Sequence, residues 1–297
     1  MSSTAAPHRP APPAAQQRAR LLPLPPDYAA VWASAYGEDR CGLWQAFEVA
    51  GVRQVMRWIP PGRFLMGSPD MEPGRYDDEA QHPVRLTHGF WLADTACTQA
   101  LWTVVMDGAN PSYFKGDPES PVEQVSWADV VDDFLPRLSA RLPGLQAGLP
   151  TEAHWEYACR GDAEVNGQFW FGDQTDSELV NFDGNYPMPG GKKSKHRECT
   201  VPVTALPCNG WGLYQMHGNV WEWCADWYAP YPVDSATPQV DQLDPTGPEL
   251  PPEAARRVLR GGSWFGGTRR CRSAMRFHGD PGERNHGFGF RLARAAS

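Results

Sequence analysis

The sequence predicts an α+β domain with few strands and much irregular structure, on two observations. The first half holds short apolar runs with strand patterning and three segments with helix start signals. The second half alternates brief aromatic runs with Gly, Pro and Asn turns, in a chain of 297 residues carrying thirteen Trp, 29 Gly and 30 Pro. That mixture suits long turn-rich connections pinned by large aromatic side chains.

Residues 1–27 are rich in Pro, Ala and Gln without periodicity and are expected to form a disordered tail. Residues 28–54 are amphipathic without a clear period and read as an N-terminal extension, with the globular domain expected over 55–297. The domain opens with Val55–Ile59, a β-type run closed by Pro60-Pro61-Gly62, and Arg63–Gly67 follows as a second strand. After an acidic, turn-rich loop, Val84–Thr87 and Phe90–Ala93 suggest a strand pair around His88-Gly89.

Three helices are expected next. Thr98 can cap one running to Met106. Ser126 with Asp129 makes a capping-box-like start for another, in which Val130, Phe134, Leu138 and Leu142 recur near the helical period. Pro150-Thr151-Glu152 starts the third, with Gly161 as its stop. The last strand signals are Arg257–Arg260 and Phe288–Leu292.

The net charge of −8 and the lack of a basic cluster speak against nucleic-acid binding. No stretch approaches the ~20 apolar residues that span a bilayer. The N-terminus has no apolar core of a secretory signal, and the seven cysteines show no CxxC spacing. Free thiols in a cytoplasmic protein are the expectation.

Several strings then line up in order: Ile59-Pro60-Pro61-Gly62-Arg63-Phe64-Leu65-Met66-Gly67-Ser68, Thr98-Gln99-Ala100-Leu101-Trp102, Asn110-Pro111-Ser112 and Leu149-Pro150-Thr151-Glu152. Asn209-Gly210-Trp211-Gly212-Leu213-Tyr214, Gly218-Asn219-Val220-Trp221-Glu222-Trp223, Arg260-Gly261-Gly262-Ser263-Trp264 and Gly289-Phe290-Arg291-Leu292 follow. Together they resemble the formylglycine-generating (sulfatase-modifying factor) family over about residues 55–293. The resemblance implies a C-type-lectin-like fold with low regular secondary structure.

The enzyme that names the family oxidises a sulfatase cysteine using copper held by two cysteines, since paired soft thiolates favour Cu(I). Here Gly266 stands where the resemblance places the first of these, and Cys271 falls where the family has no ligand. Copper and formylglycine formation are therefore not expected, and the catalytic set is empty unless a rearranged site uses Cys271. The resemblance also implies structural calcium, through Gln215, Gly218, Val220 and Glu222, with a second site touching Asn181 and Phe182. Oxygen ligands of this kind suit that cation.

Residues 260–293 further resemble the variable proteins of diversity-generating retroelements, which display diversified positions on a fixed frame. The corresponding surface here is Phe265, Gly266, Gly267, Arg270, Phe277, His278, Gly279, His286 and Gly287. Aromatic anchors beside adaptable backbone suit a binding face for a protein or other macromolecular ligand. Two readings follow. One is a binding protein presenting loops 265–288. The other is an oxygen-dependent copper or non-haem iron oxidoreductase acting on a protein or small thiol.

Overall fold

The computed structural model describes residues 24–161, 167–232 and 240–295. Among the described residues, twelve strands fall into three sheets: β1 (Ala35–Asp39), β2 (Gly42–Val49), β3 (Val52–Ile59), β4 (Gly62–Met66), β5 (His82–Leu86), β6 (Phe90–Ala93), β7 (Trp221–Trp227), β8 (Gln242–Leu243), β9 (Arg257–Arg260), β10 (Arg276–Gly279), β11 (Phe288–Gly289) and β12 (Ala293–Ala295). Five strands run in the order β1-β2-β3-β6-β12, four in the order β10-β9-β7-β11 and three in the order β4-β5-β8.

The domain begins upstream of the expected boundary at residue 55. That boundary cuts through β3, which pairs from Val52 to Arg57 with β2, and β2 pairs with β1. The physical reason is burial: Phe47 and Val49 of β2 pack into the same core as Trp91 and Phe290, and Ala46 between β1 and β3 is fully buried. Even Tyr28 stacks on Trp91 (6.3 Å), whose indole N–H donates to Asp27 (2.9 Å). The expected N-terminal extension is thus part of the domain, while residues 1–23 of the expected tail lie outside the described residues.

The helix signals are realised. Helix α1 (Gln99–Val105) is capped by Thr98, whose hydroxyl accepts from Leu101 N (3.1 Å). Ser126 and Asp129 form a reciprocal box, each side chain accepting from the other's backbone N–H at 3.0 and 2.9 Å. The helix that follows differs from a plain α-helix. Residues Asp129–Phe134 form a π turn before α2 (Leu135–Arg141). Pro136 lies in the first turn of α2, and an α-helical Pro would press on the carbonyl four residues earlier, so the wider turn relieves it. Helix α3 (Glu152–Arg160) is capped by Thr151 and stops at Gly161 (φ +66°).

The core is threaded by ion pairs. Arg260, Arg272, Arg276 and Arg291 are buried and meet Glu156, Glu79, Glu152 and Glu222 respectively. Arg272 and Arg276 are therefore structural cations. Among the described residues no helix is long and apolar enough to cross a membrane.

Candidate functional site

After β9, Gly261 and Gly262 turn the chain with φ of +101° and +83°. Gly262 is required, since a Cβ there would lie 2.6 Å from Cys271 Sγ. The turn delivers Trp264 to the surface. Its backbone N donates to Asn219 O (2.9 Å) and its indole N–H to His286 O (3.1 Å), which holds the ring in place.

Other rings gather around that indole. Phe114 stands perpendicular to it (5.2 Å, 89°), and so nearly does Phe265 (5.1 Å, 76°). His286 lies 5.4 Å away, and His196 lies almost parallel at 6.0 Å. Tyr113 meets Phe114 edge-on and approaches His286 (6.1 Å), with 71% of its surface open to solvent. Exposed Lys115 and Lys195 are chain neighbours of two of these rings.

Beneath the face lies Glu123, fully buried. One carboxylate oxygen accepts from Phe114 N (2.8 Å), and the other has no hydrogen-bond partner. Burial pushes its carboxyl up to about 7. The buried Ser263 hydroxyl is likewise unpartnered.

The sequence-predicted surface divides. Phe265 and His286 belong to the aromatic face and are in contact (5.3 Å). Gly266 is buried, and its carbonyl accepts from Asp183 N (2.9 Å), yet a Cβ there would meet nothing closer than 3.5 Å. Gly267 is half-buried against Tyr186, and Arg270 is exposed.

Phe277, His278 and Gly279 lie instead on β10. Phe277 packs on Trp221 (5.1 Å) and Phe288, and His278 packs on Tyr228 (4.4 Å). Gly279 and Gly287 are corrected from display positions to packing positions. A Cβ would come within 2.7 Å of the Trp223 ring at Gly279 and 2.4 Å of the Phe265 ring at Gly287. Sequence reasoning missed Tyr113, Phe114 and His196. Two adjacent aromatics directly after Asn110-Pro111-Ser112 were the available signal.

The donor set does not fit a two-thiolate copper site. Gly266 brings no ligand atom. Cys271 is fully buried beside Phe169, Val180 and Phe182, its sulfur facing Gly267 O (3.9 Å) and its thiol pushed up to about 12 by burial. His217, fully buried, shares a hydrogen bond between Nδ1 and Cys271 O (2.7 Å), and burial pushes it down to about 3. It is a neutral core histidine.

The calcium positions fit in part. Gln215 donates its amide to Pro202 O (2.7 Å), leaving its buried Oε1 without a partner. Gly218 (φ +75°) donates its N–H to Gly261 O, and Val220 is buried in the same turn. The Glu222 carboxylate, in contrast, already accepts from Trp155 Nε1 (2.6 Å) and from Arg291 Nε and Nη2 (2.6 and 2.8 Å). Asn181 donates to Cys199 O and Asn219 Oδ1 and keeps an unpartnered Oδ1, while Phe182 is core.

The solved structure of Treponema denticola variable protein 1 superposes with a TM-score of 0.68, at 25% identity, covering 84% of this chain and 98% of that one. PvdO from Pseudomonas aeruginosa gives 0.66 at 24% identity, covering 89% and 98%. The fold is C-type-lectin-like. A formylglycine-generating enzyme of Streptomyces coelicolor is 37% identical over 211 residues, 66% of this chain but only 62% of that enzyme's length. Residues 45–296 match the sulfatase-modifying factor enzyme 1-like domain, and the chain belongs to that family.

Proposed function

We propose that this chain is a binding protein, and that the face built on Trp264 takes a protein or other macromolecular ligand. One observation carries the reading. Rings from three distant segments and the neighbouring Phe265 converge on an indole whose own N–H is tied down, at the place where the resemblance would put a copper cysteine and this chain has Gly266. Rigid aromatic anchors of this kind dominate binding energy at interfaces, with a charged fringe adding orientation. The similarity to a variable protein supports it. Within the face, Gly266 is a position where an added side chain meets only ordinary contacts, and Arg270 beside it is exposed. Calcium at Gln215, Gly218, Val220 and Glu222 belongs to the proposal as a structural ion, supported by the orphaned Gln215 oxygen.

The second reading, an oxygen-dependent oxidase, is favoured by the identity with the Streptomyces enzyme and opposed by the donor set. A displayed library of genomic protein fragments, panned on the purified chain, tests the choice. Ligands whose binding falls at least about tenfold on Trp264→Ala or Tyr113→Ala support the binding face. Oxygen consumption with Cu(I) and a cysteine peptide would overturn it.

A further inference from the structure

Outside this face, two cysteines far apart in the chain are brought together. Cys41 sits in the turn between β1 and β2, its N–H donating to Asp39 (2.8 Å). Opposite it is the tight turn 208–214. There Cys208 and Tyr214 form an antiparallel bridge, Asn209 N donates to Leu213 O (3.0 Å) and Gly212 N to Asn209 O (2.9 Å). The turns are in contact: a Cβ on Gly212 (φ +74°) would lie 3.1 Å from Cys41 Cβ and 2.9 Å from Arg57 Nε. The two thiols face each other there and interact.

The surroundings make the two sulfurs unequal. Arg40 and the Tyr214 hydroxyl favour the Cys208 thiolate, whereas on the Cys41 side Arg57 favours the thiolate and Asp39, bound to Arg57 (2.8 Å), opposes it. The contact with Cys41, with these groups, favours the Cys208 thiolate against the opposing effect of burial, while the thiol form of Cys41 is favoured. Both are half-buried, whereas Cys97, Cys159, Cys224 and Cys271 are buried. An accessible thiolate beside a resolving thiol is the arrangement of a redox-sensing cysteine pair.

We propose that Cys41 and Cys208 form a peroxide-sensitive dithiol that closes to a disulfide and staples the β1–β2 turn to the 208–214 turn. The Cys208 thiolate attacks hydrogen peroxide; an S–O bond forms, the O–O bond breaks, and the departing hydroxide takes a proton to leave as water. The Cys41 thiol, giving up its proton, then attacks the sulfenic sulfur. An S–S bond forms, the S–O bond breaks and a second water leaves. Two thiols are oxidised and one peroxide is reduced. The cross-link ties the outer hairpin to the core, because Tyr214 O accepts from Arg291 Nη2 (2.9 Å) and Tyr214 N donates to Asp94 O (2.7 Å).

The test is peptide mapping of the reduced full chain after one equivalent of hydrogen peroxide, with remaining thiols blocked. The expected product joins the Cys41 and Cys208 peptides, lacks two hydrogens and is reversed by dithiothreitol. Its melting midpoint rises by on the order of 5 °C. In Cys41→Ser a cyclic 1,3-dione traps sulfenic acid on Cys208, while in Cys208→Ser the Cys41 thiol stays reduced. Oxidation of the half-buried Cys199 ahead of the pair, or a linkage other than 41–208, overturns the proposal. The mapping of the unsubstituted chain decides this even if a serine variant folds poorly.

Discussion

Arg291 and Glu222 face each other in the core through a two-point ion pair, Nε to Oε2 at 2.6 Å and Nη2 to Oε1 at 2.8 Å. The remaining guanidinium donors reach Ala93 O (3.1 Å) and Tyr214 O (2.9 Å), and Trp155 donates its indole N–H to the same carboxylate (2.6 Å). Two sequence strings more than sixty residues apart, Gly289–Leu292 and Gly218–Trp223, are tied by this contact as well as by the parallel pairing of β11 with β7, in which Gly289 lies opposite Glu222. Buried pairs of this quality are costly to break from one side, because the surviving charge has no solvent to turn to. Arg291→Met is expected to lower unfolding free energy by about 3–5 kcal/mol, read from denaturant midpoints. Arg291→Met with Glu222→Gln should recover part of that loss. A double variant no better than the single one would show that the carboxylate is not the group left stranded.

Glu123 supplies a pH dependence whose sign follows from its burial. Its folded value is raised to about 7, so its contribution to stability is present below the ordinary carboxyl value of 4.5 and is lost as pH rises through about 7. The wild-type urea midpoint should therefore fall between about pH 5 and pH 8 more than that of Glu123→Gln. Parallel profiles for the two proteins would mean that the carboxylate finds water in solution.

The helix starts were legible because capping is local: Thr98, Ser126 with Asp129, and Thr151 with Gly161 act within one turn of the residues they serve. Strand β7 was not. Its residues Trp221, Glu222, Trp223 and Cys224 are all buried, which leaves no alternation to mark a strand, and the string reads as a Trp-rich turn. The pairing of Arg272 with Glu79 spans 193 residues, so a buried cation was indistinguishable from a solvated one in the sequence. The aromatic face failed for the same reason. Phe265 and His286 were within reach of a local reading, whereas Tyr113, Phe114 and His196 join them only through the fold.

Calcium binding has a direct readout. A cation that binds only the folded chain raises the melting midpoint as its concentration increases. The midpoint should rise on calcium titration of the chelator-treated protein, and Gln215→Leu, which removes the orphaned amide oxygen, should abolish the rise. An unchanged midpoint at millimolar calcium would leave Gln215 a plain hydrogen-bonded turn residue, consistent with a Glu222 carboxylate already neutralised by Arg291.

The two kinds of glycine in the C-terminal stretch should respond in opposite ways to the same methyl group. At Gly279 the added Cβ would stand 2.7 Å from the Trp223 ring, part of the main core, and 3.1 Å from Glu283. Gly279→Ala therefore forces a large aromatic side chain off its packing, at a cost of about 1–3 kcal/mol. At Gly266 the nearest atoms would be 3.5 Å away, an ordinary contact, and its φ is not among the positive values. Gly266→Ala should change stability by less than about 0.5 kcal/mol. Its effect should appear in binding, because Gly266 adjoins Phe265 and reaches Asp183 through its carbonyl. Equal destabilisation by the two variants would place Gly266 in the frame with Gly279 and remove it from the adaptable part of the face.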